Sequence, residues 1–177
     1  MTIHTTHPFA DAEPDPLRRF RGRLGGAVTL WTSGTGPTAG DGWAGLTVSS
    51  VMVAHGEPAR VLALVDPDSD LADALADTGR AVVHLLAWEH RDLAEAFAGT
   101  APAPGGPFRQ AAFEPTAWGP RLLDAPAHAG VVLESATEVG WSRLVTCVVE
   151  EVVLGEDVDP LVHRRGRYVR PPAGPLV

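Results

Sequence analysis

A chain of 177 residues, 45% hydrophobic and 20% charged, has enough apolar material for one packed domain and too much for a disordered one. Its formal net charge of −8 argues against nonspecific binding to nucleic acid or to an anionic membrane surface. All 14 basic residues are arginine, and the lone Cys147 lies in an apolar run, so no disulfide forms within the chain and a reducing cytoplasm is the expected setting.

Residues 1–14 lack periodicity and read as a mobile arm ahead of a domain over 15–170, with 171–177 as a tail. Asp15-Pro16 suits a helix start; Leu17, Phe20 and Leu24 then share one face, and Gly25-Gly26 ends the helix. A strand follows over 27–32, a Gly/Thr/Pro-rich loop over 33–42, and a second strand over 43–54. Residues 55–58 make a turn, and 59–65 a third, buried strand. This strand–turn–strand order predicts an antiparallel meander.

Asp66-Pro67-Asp68-Ser69 predicts a turn into a short helix with Ser69 as N-cap and Gly79 as its stop. A strand over 80–87, a helix over 89–98 and a flexible Pro/Gly loop over 100–107 come next. Long valine-rich strands over 131–137 and 141–154 meet at Val139-Gly140, and a short strand over 161–163 leads into the basic run Arg164-Arg165-Gly166-Arg167-Tyr168. So many strands with three short helices predict closure into a barrel, which removes exposed sheet edges.

Within the second strand, Gly45-Leu46-Thr47-Val48-Ser49-Ser50 offers hydroxyls and backbone N–H groups suited to a phosphate or to the polar rim of a flat cofactor; an ordinary amphipathic strand has the same pattern. Ser69 places a helix N-terminus, favourable for an anion, nearby in the chain. No histidine pair has metal-ligand spacing with a third ligand, so no metal is expected.

Four landmarks resemble the flavin reductase family, whose members share the FMN-binding split barrel. They are Phe20 with Gly26–Thr32; the Gly45–Ser50 block; Leu62–Ser69 with Gly79-Arg80 and the Phe97-Ala98-Gly99 ending; and Pro160–Tyr168, like the family's Pro-Leu-Val-Tyr/His-x-x-Gly-Arg-Tyr tail. The resemblance implies an antiparallel split β-barrel, mainly β, that forms a homodimer with one FMN or FAD per subunit. It also implies reduction of that flavin by NADH or NADPH and transfer of reduced flavin to a monooxygenase.

By that resemblance Thr47, Val48, Ser49 and Ser50 face the flavin, Thr29, Trp31 and Thr32 line the same groove, and Asp66, Pro67 and Ser69 sit at its rim. Arg80 or Arg91 supplies positive charge. His163, Arg167 and Tyr168 are the expected nicotinamide residues; a solvated basic tail is the competing reading. The family's Gly-Asp-His-Thr stretch is Gly140-Trp141-Ser142-Arg143 here, so Trp141 stands where some members carry a nicotinamide-site histidine. That replacement keeps a second expectation open, a flavin-binding module or carrier without turnover; a third is a barrel that serves structure or interaction alone.

Overall fold

The computed structural model describes residues 16–40, 42–156 and 158–171. The expected arm (1–14) lies outside the described residues, as does all of the tail but residue 171.

Helix α1 (Pro16–Leu24) precedes β1 (Gly26–Ala27), β2 (Thr29–Ser33), β3 (Ala44–Val48), β4 (Val51–Ala54) and β5 (Arg60–Val65). Helix α2 (Asp70–Thr78), β6 (Arg80–Leu85) and α3 (Arg91–Phe97) follow, then β7 (Phe113–Pro115) and β8 (Pro120–Leu122). The long strands β9 (Ala127–Val139) and β10 (Ser142–Leu154) and the short β11 (Val162–Arg164) and β12 (Arg167–Val169) complete the order.

The main sheet has seven strands in the order β3-β2-β6-β9-β10-β5-β4, and every pairing is antiparallel. The antiparallel pairing expected of residues 27–65 holds, β2 with β3 and β4 with β5; after β5 the chain crosses through α2 to β6, which pairs with β2 and β9. The expected single strand over 43–54 is also two. It breaks at Ser49-Ser50, so β3 and β4 become the two opposite edges of the sheet, tied by one dipeptide. Register shifts at Thr146/Cys147 and Val149/Glu151 disrupt the β9–β10 ladder, the kind of bulge that bends a strand and deepens its twist. The result is a curled, partly closed sheet flanked by three helices.

Strand β2 is buried along its whole length because it serves two cores. Trp31 packs inside the curl with Val48, Val61, Val65, Leu71, Leu75, Val131, Val145 and Cys147. Val28 and Leu30 face the other way, onto Leu86, Leu93, Phe97, Leu122 and Leu161. A strand buried on both faces cannot show polar alternation.

Helix α2 starts and stops where its caps dictate. The Ser69 hydroxyl accepts a hydrogen bond from the Ala72 N–H, and Gly79, at φ 67°, donates its N–H to the Leu75 carbonyl. Burial of Leu71 and Leu75 against the sheet stabilises it by roughly 1.5–3 kcal/mol each. Helix α3 lies on β3, where a Cβ at Gly45 would stand 2.6 Å from the Phe97 ring. Glycine at 45 is a packing requirement.

Candidate functional site

The break at Ser49-Ser50 opens onto a cleft of about 420 Å³. Its walls come from the C-terminal turn of α1, the Ser49–Met52 segment, Ala63 and Leu64 of β5, Leu144 of β10, and the β11–β12 hairpin. The lining is part apolar, with Leu24, Val51, Met52, Leu64 and Leu144, and part polar, with Arg21, Ser49, Ser50 and His163. Among the described residues the hydroxyls of Ser49 and Ser50 have no side-chain hydrogen-bond partner, while the Ser50 carbonyl accepts from the Leu64 N–H at 3.0 Å. A lining that is largely apolar with a few polar groups not engaged within the chain fits a flat, amphipathic ring system.

His163 packs edge-on against Tyr168, ring centroids 5.9 Å apart. Burial, reinforced by the charge of Arg21, lowers the His163 pKa against the opposing pull of Glu95. The imidazole is therefore neutral near pH 7. Burial likewise pushes the Tyr168 phenol up to about 12.

The expected site residues separate into two sets. Ser49, Ser50 and His163 line the cleft, Tyr168 backs His163, and Arg167 stands exposed on the adjoining hairpin. The others turn elsewhere. Trp31 is 0% exposed and donates its indole N–H to the Thr29 hydroxyl, which donates to the Val48 carbonyl. Thr32, equally buried, donates to the Pro120 carbonyl at 2.5 Å. Thr29, Trp31 and Thr32 thus hold the sheet together and are not among the residues lining the Ser49-Ser50 cleft. Val48 is core, and Thr47 donates to the Ala94 carbonyl at 2.7 Å, fastening α3 to β3.

Asp66, Pro67 and Ser69 form a self-contained turn outside the cleft lining. Asp66 Oδ1 accepts from the Asp68 N–H, and the Ser69 hydroxyl donates to the Asp66 carbonyl. Asp70 and Asp73 occupy the first turn of α2, so the helix dipole is already answered and a phosphate there would be repelled. Arg80 reaches Glu150 at 4.0 Å, and Arg91 lies over the Trp88 ring beside Asp92; neither borders the cleft. Trp141 is 100% exposed at the β9–β10 turn, three residues before the cleft residue Leu144.

Sequence reasoning missed Arg21, Leu24, Met52, Leu64 and Leu144. These come from separate elements, and only the fold brings them together. One signal was present: the apolar face of α1 is exposed, not core, with Leu17 at 73% and Phe20 at 63%. Met52 and Val53 on the edge strand β4 are similarly exposed.

A second concavity of about 750 Å³ lies by Trp88, His90 and Arg170. There Arg170 pairs with Asp159, and His90 Nε2 lies 3.4 Å from Asp124 Oδ1. Among the described residues no group of three or more His, Cys, Asp or Glu side chains is placed to hold a metal, and no helix is long and apolar enough to cross a membrane.

The sequence profile of the flavin reductase like domain matches residues 21–171. The chain belongs to the flavin reductase-like family. Solved structures agree in fold. A Haemophilus somnus 129PT protein described as a putative flavin reductase is 19% identical with a TM-score of 0.78, over 90% of this chain and 99% of its own. The styrene monooxygenase flavin reductase of Pseudomonas putida S12 is 22% identical with a TM-score of 0.78, over 90% and 99% of the two chains. The NADH:FAD oxidoreductase of Streptomyces globisporus C-1027, solved with NAD and FAD fragments, is 22% identical with a TM-score of 0.78, over 89% and 93%. No curated protein is similar enough in sequence to match. Within the flavin reductase-like family, then, this chain has the curled sheet, with Trp141 exposed at the long hairpin's turn.

Proposed function

We propose that this protein is a flavin reductase that binds FMN or FAD in the Ser49-Ser50 cleft and reduces it with NADH or NADPH. The observation that carries the reading is a cleft with apolar lining and two seryl hydroxyls that have no hydrogen-bond partner among the described residues, in a chain of this family. A flavin ring has the same division, an apolar face and a polar edge. When bound, the flavin supplies the hydride acceptor, and the protein's task is to position and desolvate it. Ser49 and Ser50 orient the polar edge. Leu24, Met52, Leu64 and Leu144 exclude water from the ring face. Arg21 supplies positive charge in the lining, and neutral His163 with Tyr168 offers a surface for the nicotinamide.

The working unit is a homodimer. Leu17 and Phe20 of α1 and Met52 and Val53 of β4 expose apolar surface around the cleft, and a second copy would cover it. Transfer of reduced flavin to a monooxygenase is supported by relatives described as reductase components, such as the one for styrene monooxygenase. A cytoplasmic setting rests on the lone cysteine, buried and without a disulfide partner in the chain.

A second reading, a flavin carrier without turnover, is favoured by Trp141 in place of the family's histidine. One experiment separates the two. Purified protein is mixed with FMN or FAD, and oxidation of NADH and NADPH is followed. Flavin-dependent oxidation well above a protein-free blank supports the reductase; tight flavin binding without it supports the carrier; no binding of either flavin overturns both.

A further inference from the structure

Arg60, Arg80, Arg91, Arg121 and Arg170 each pair with a carboxylate, Glu134, Glu150, Asp92, Glu114 and Asp159 in turn. Arg21, Arg164, Arg165 and Arg167 make no ion pair or side-chain hydrogen bond among the described residues. Arg19, Arg23, Arg109 and Arg143 are likewise without an ion pair among the described residues, so what distinguishes Arg21, Arg164, Arg165 and Arg167 is their position.

These four gather at one place. The Arg165 N–H donates to the Gly22 carbonyl at 2.7 Å, which docks the β11–β12 turn on the end of α1 beside Arg21. At Gly25 a Cβ would lie 3.6 Å from Arg164 Cγ. Arg164 and Arg167 stand directly opposite each other in the hairpin register, an unfavourable like-charge pair. Arg165 has φ 52°, the one non-glycine residue among those described with a left-handed backbone, at a cost on the order of 1 kcal/mol. The nearby carboxylate is Glu95 of α3, whose field reaches His163 and Tyr168 and which accepts a hydrogen bond from the Thr100 hydroxyl. The turn therefore opposes its own stability at the rim of a cleft lined by Arg21, His163 and Gly166. An external polyanion would relieve it.

Arg167 belongs to the Gly-Arg-Tyr ending that resembles the family's. Arg164 and Arg165 fill the two positions that ending leaves open. A dinucleotide diphosphate is served by one or two guanidiniums; a further phosphate requires more. We infer that Arg164 and Arg165, with Arg21, recognise the additional ribose phosphate of NADPH and make it the preferred reductant over NADH. The inference rests on the nicotinamide-dependent reading above.

The test is calorimetric titration of the full chain with adenosine 2′,5′-bisphosphate, adenosine 3′,5′-bisphosphate and 5′-AMP. The 2′,5′ compound is expected to bind about tenfold or more tighter than 5′-AMP, the scale of one charge-assisted contact. It is also expected to bind tighter than the equally charged 3′,5′ isomer. The double variant Arg164→Ala/Arg165→Gly should bring that preference close to unity; glycine suits φ 52°, so the turn survives. Equal binding of the two isomers, or a preference unchanged in the variant, overturns the inference; a rim that serves an acidic protein partner would give that result. Steady-state kcat/KM for NADPH and NADH with FMN separates this from the reductase reading. Flavin reduction with no NADPH preference sinks the inference alone. A 2′-phosphate preference in the titration that the variant abolishes, with no reduction by either dinucleotide, sinks the reductase reading and leaves the inference standing.

Discussion

His84 Nε2 accepts a hydrogen bond from the Leu122 N–H at 3.0 Å inside the core. The other ring nitrogen, Nδ1, then carries the proton and donates to the Leu30 carbonyl at 2.9 Å. One neutral imidazole thus joins β2, β6 and β8. Burial, the largest cause, lowers its pKa to about 3. The unfolded chain binds this proton below about pH 6.5, and the folded chain does not until about pH 3. Stability from His84 is complete above pH 6.5 and falls as pH drops through that window, by up to about 1.4 kcal/mol per unit. His128 and His163, whose pKa values are also lowered, add to the same trend. Urea midpoints measured across this range should decline, and the decline should be shallower in His84→Leu at a lower starting stability.

Thr47 and Ser49 are two residues apart and should behave differently. Thr47→Val removes the bond to the Ala94 carbonyl and should cost about 1 kcal/mol of stability with flavin affinity little changed. Ser49→Phe, at an exposed position, should leave the melting temperature near wild type and weaken FMN binding at least tenfold by filling the cleft. Thermal melts and flavin titrations of the two variants check both halves; a Thr47→Val protein that melts normally but loses flavin would contradict the assignment.

Phe20 is 63% exposed on α1, and Leu24 on the same face is 70% exposed. Leu17→Asp/Phe20→Asp should convert a dimer to a monomer in sedimentation velocity while the far-ultraviolet spectrum stays that of the folded barrel. A wild-type protein that sediments as a monomer would remove the dimer from the reading.

Trp141 is fully exposed, so Trp141→Ala should change stability by no more than about 0.5 kcal/mol. If its ring meets the nicotinamide, KM for the dinucleotide should rise several-fold with flavin affinity constant. Trp141→His should raise kcat if the tryptophan hinders turnover. Unchanged kinetics in both variants would take Trp141 out of the site.

The parts of the fold that were legible in sequence are those governed by local chemistry. Ser69 and Gly79 bound α2 because capping is decided within a few residues. The break at Ser49-Ser50 was hidden, since Thr47-Val48-Ser49-Ser50-Val51 reads as one β-prone run and the change of partner strand depends on residues far along the chain. The same limit applied to Thr29, Trp31 and Thr32. Their polar atoms looked available, and the 88-residue separation of Thr32 from its acceptor Pro120 could not be seen in the sequence. Of the cleft, the seryl pair and His163 were legible as motif residues. Arg21 and Leu144 enter it through tertiary packing alone.

The Ser49-Ser50 connection has a mechanical meaning as well as a chemical one. Strands β3 and β4 are the two margins of the curled sheet, and this dipeptide alone carries the backbone from one to the other. A molecule seated there would act as a clasp across the seam. Amide hydrogen exchange along β3 and β4 should then slow together when ligand binds, even though the two strands share no ladder.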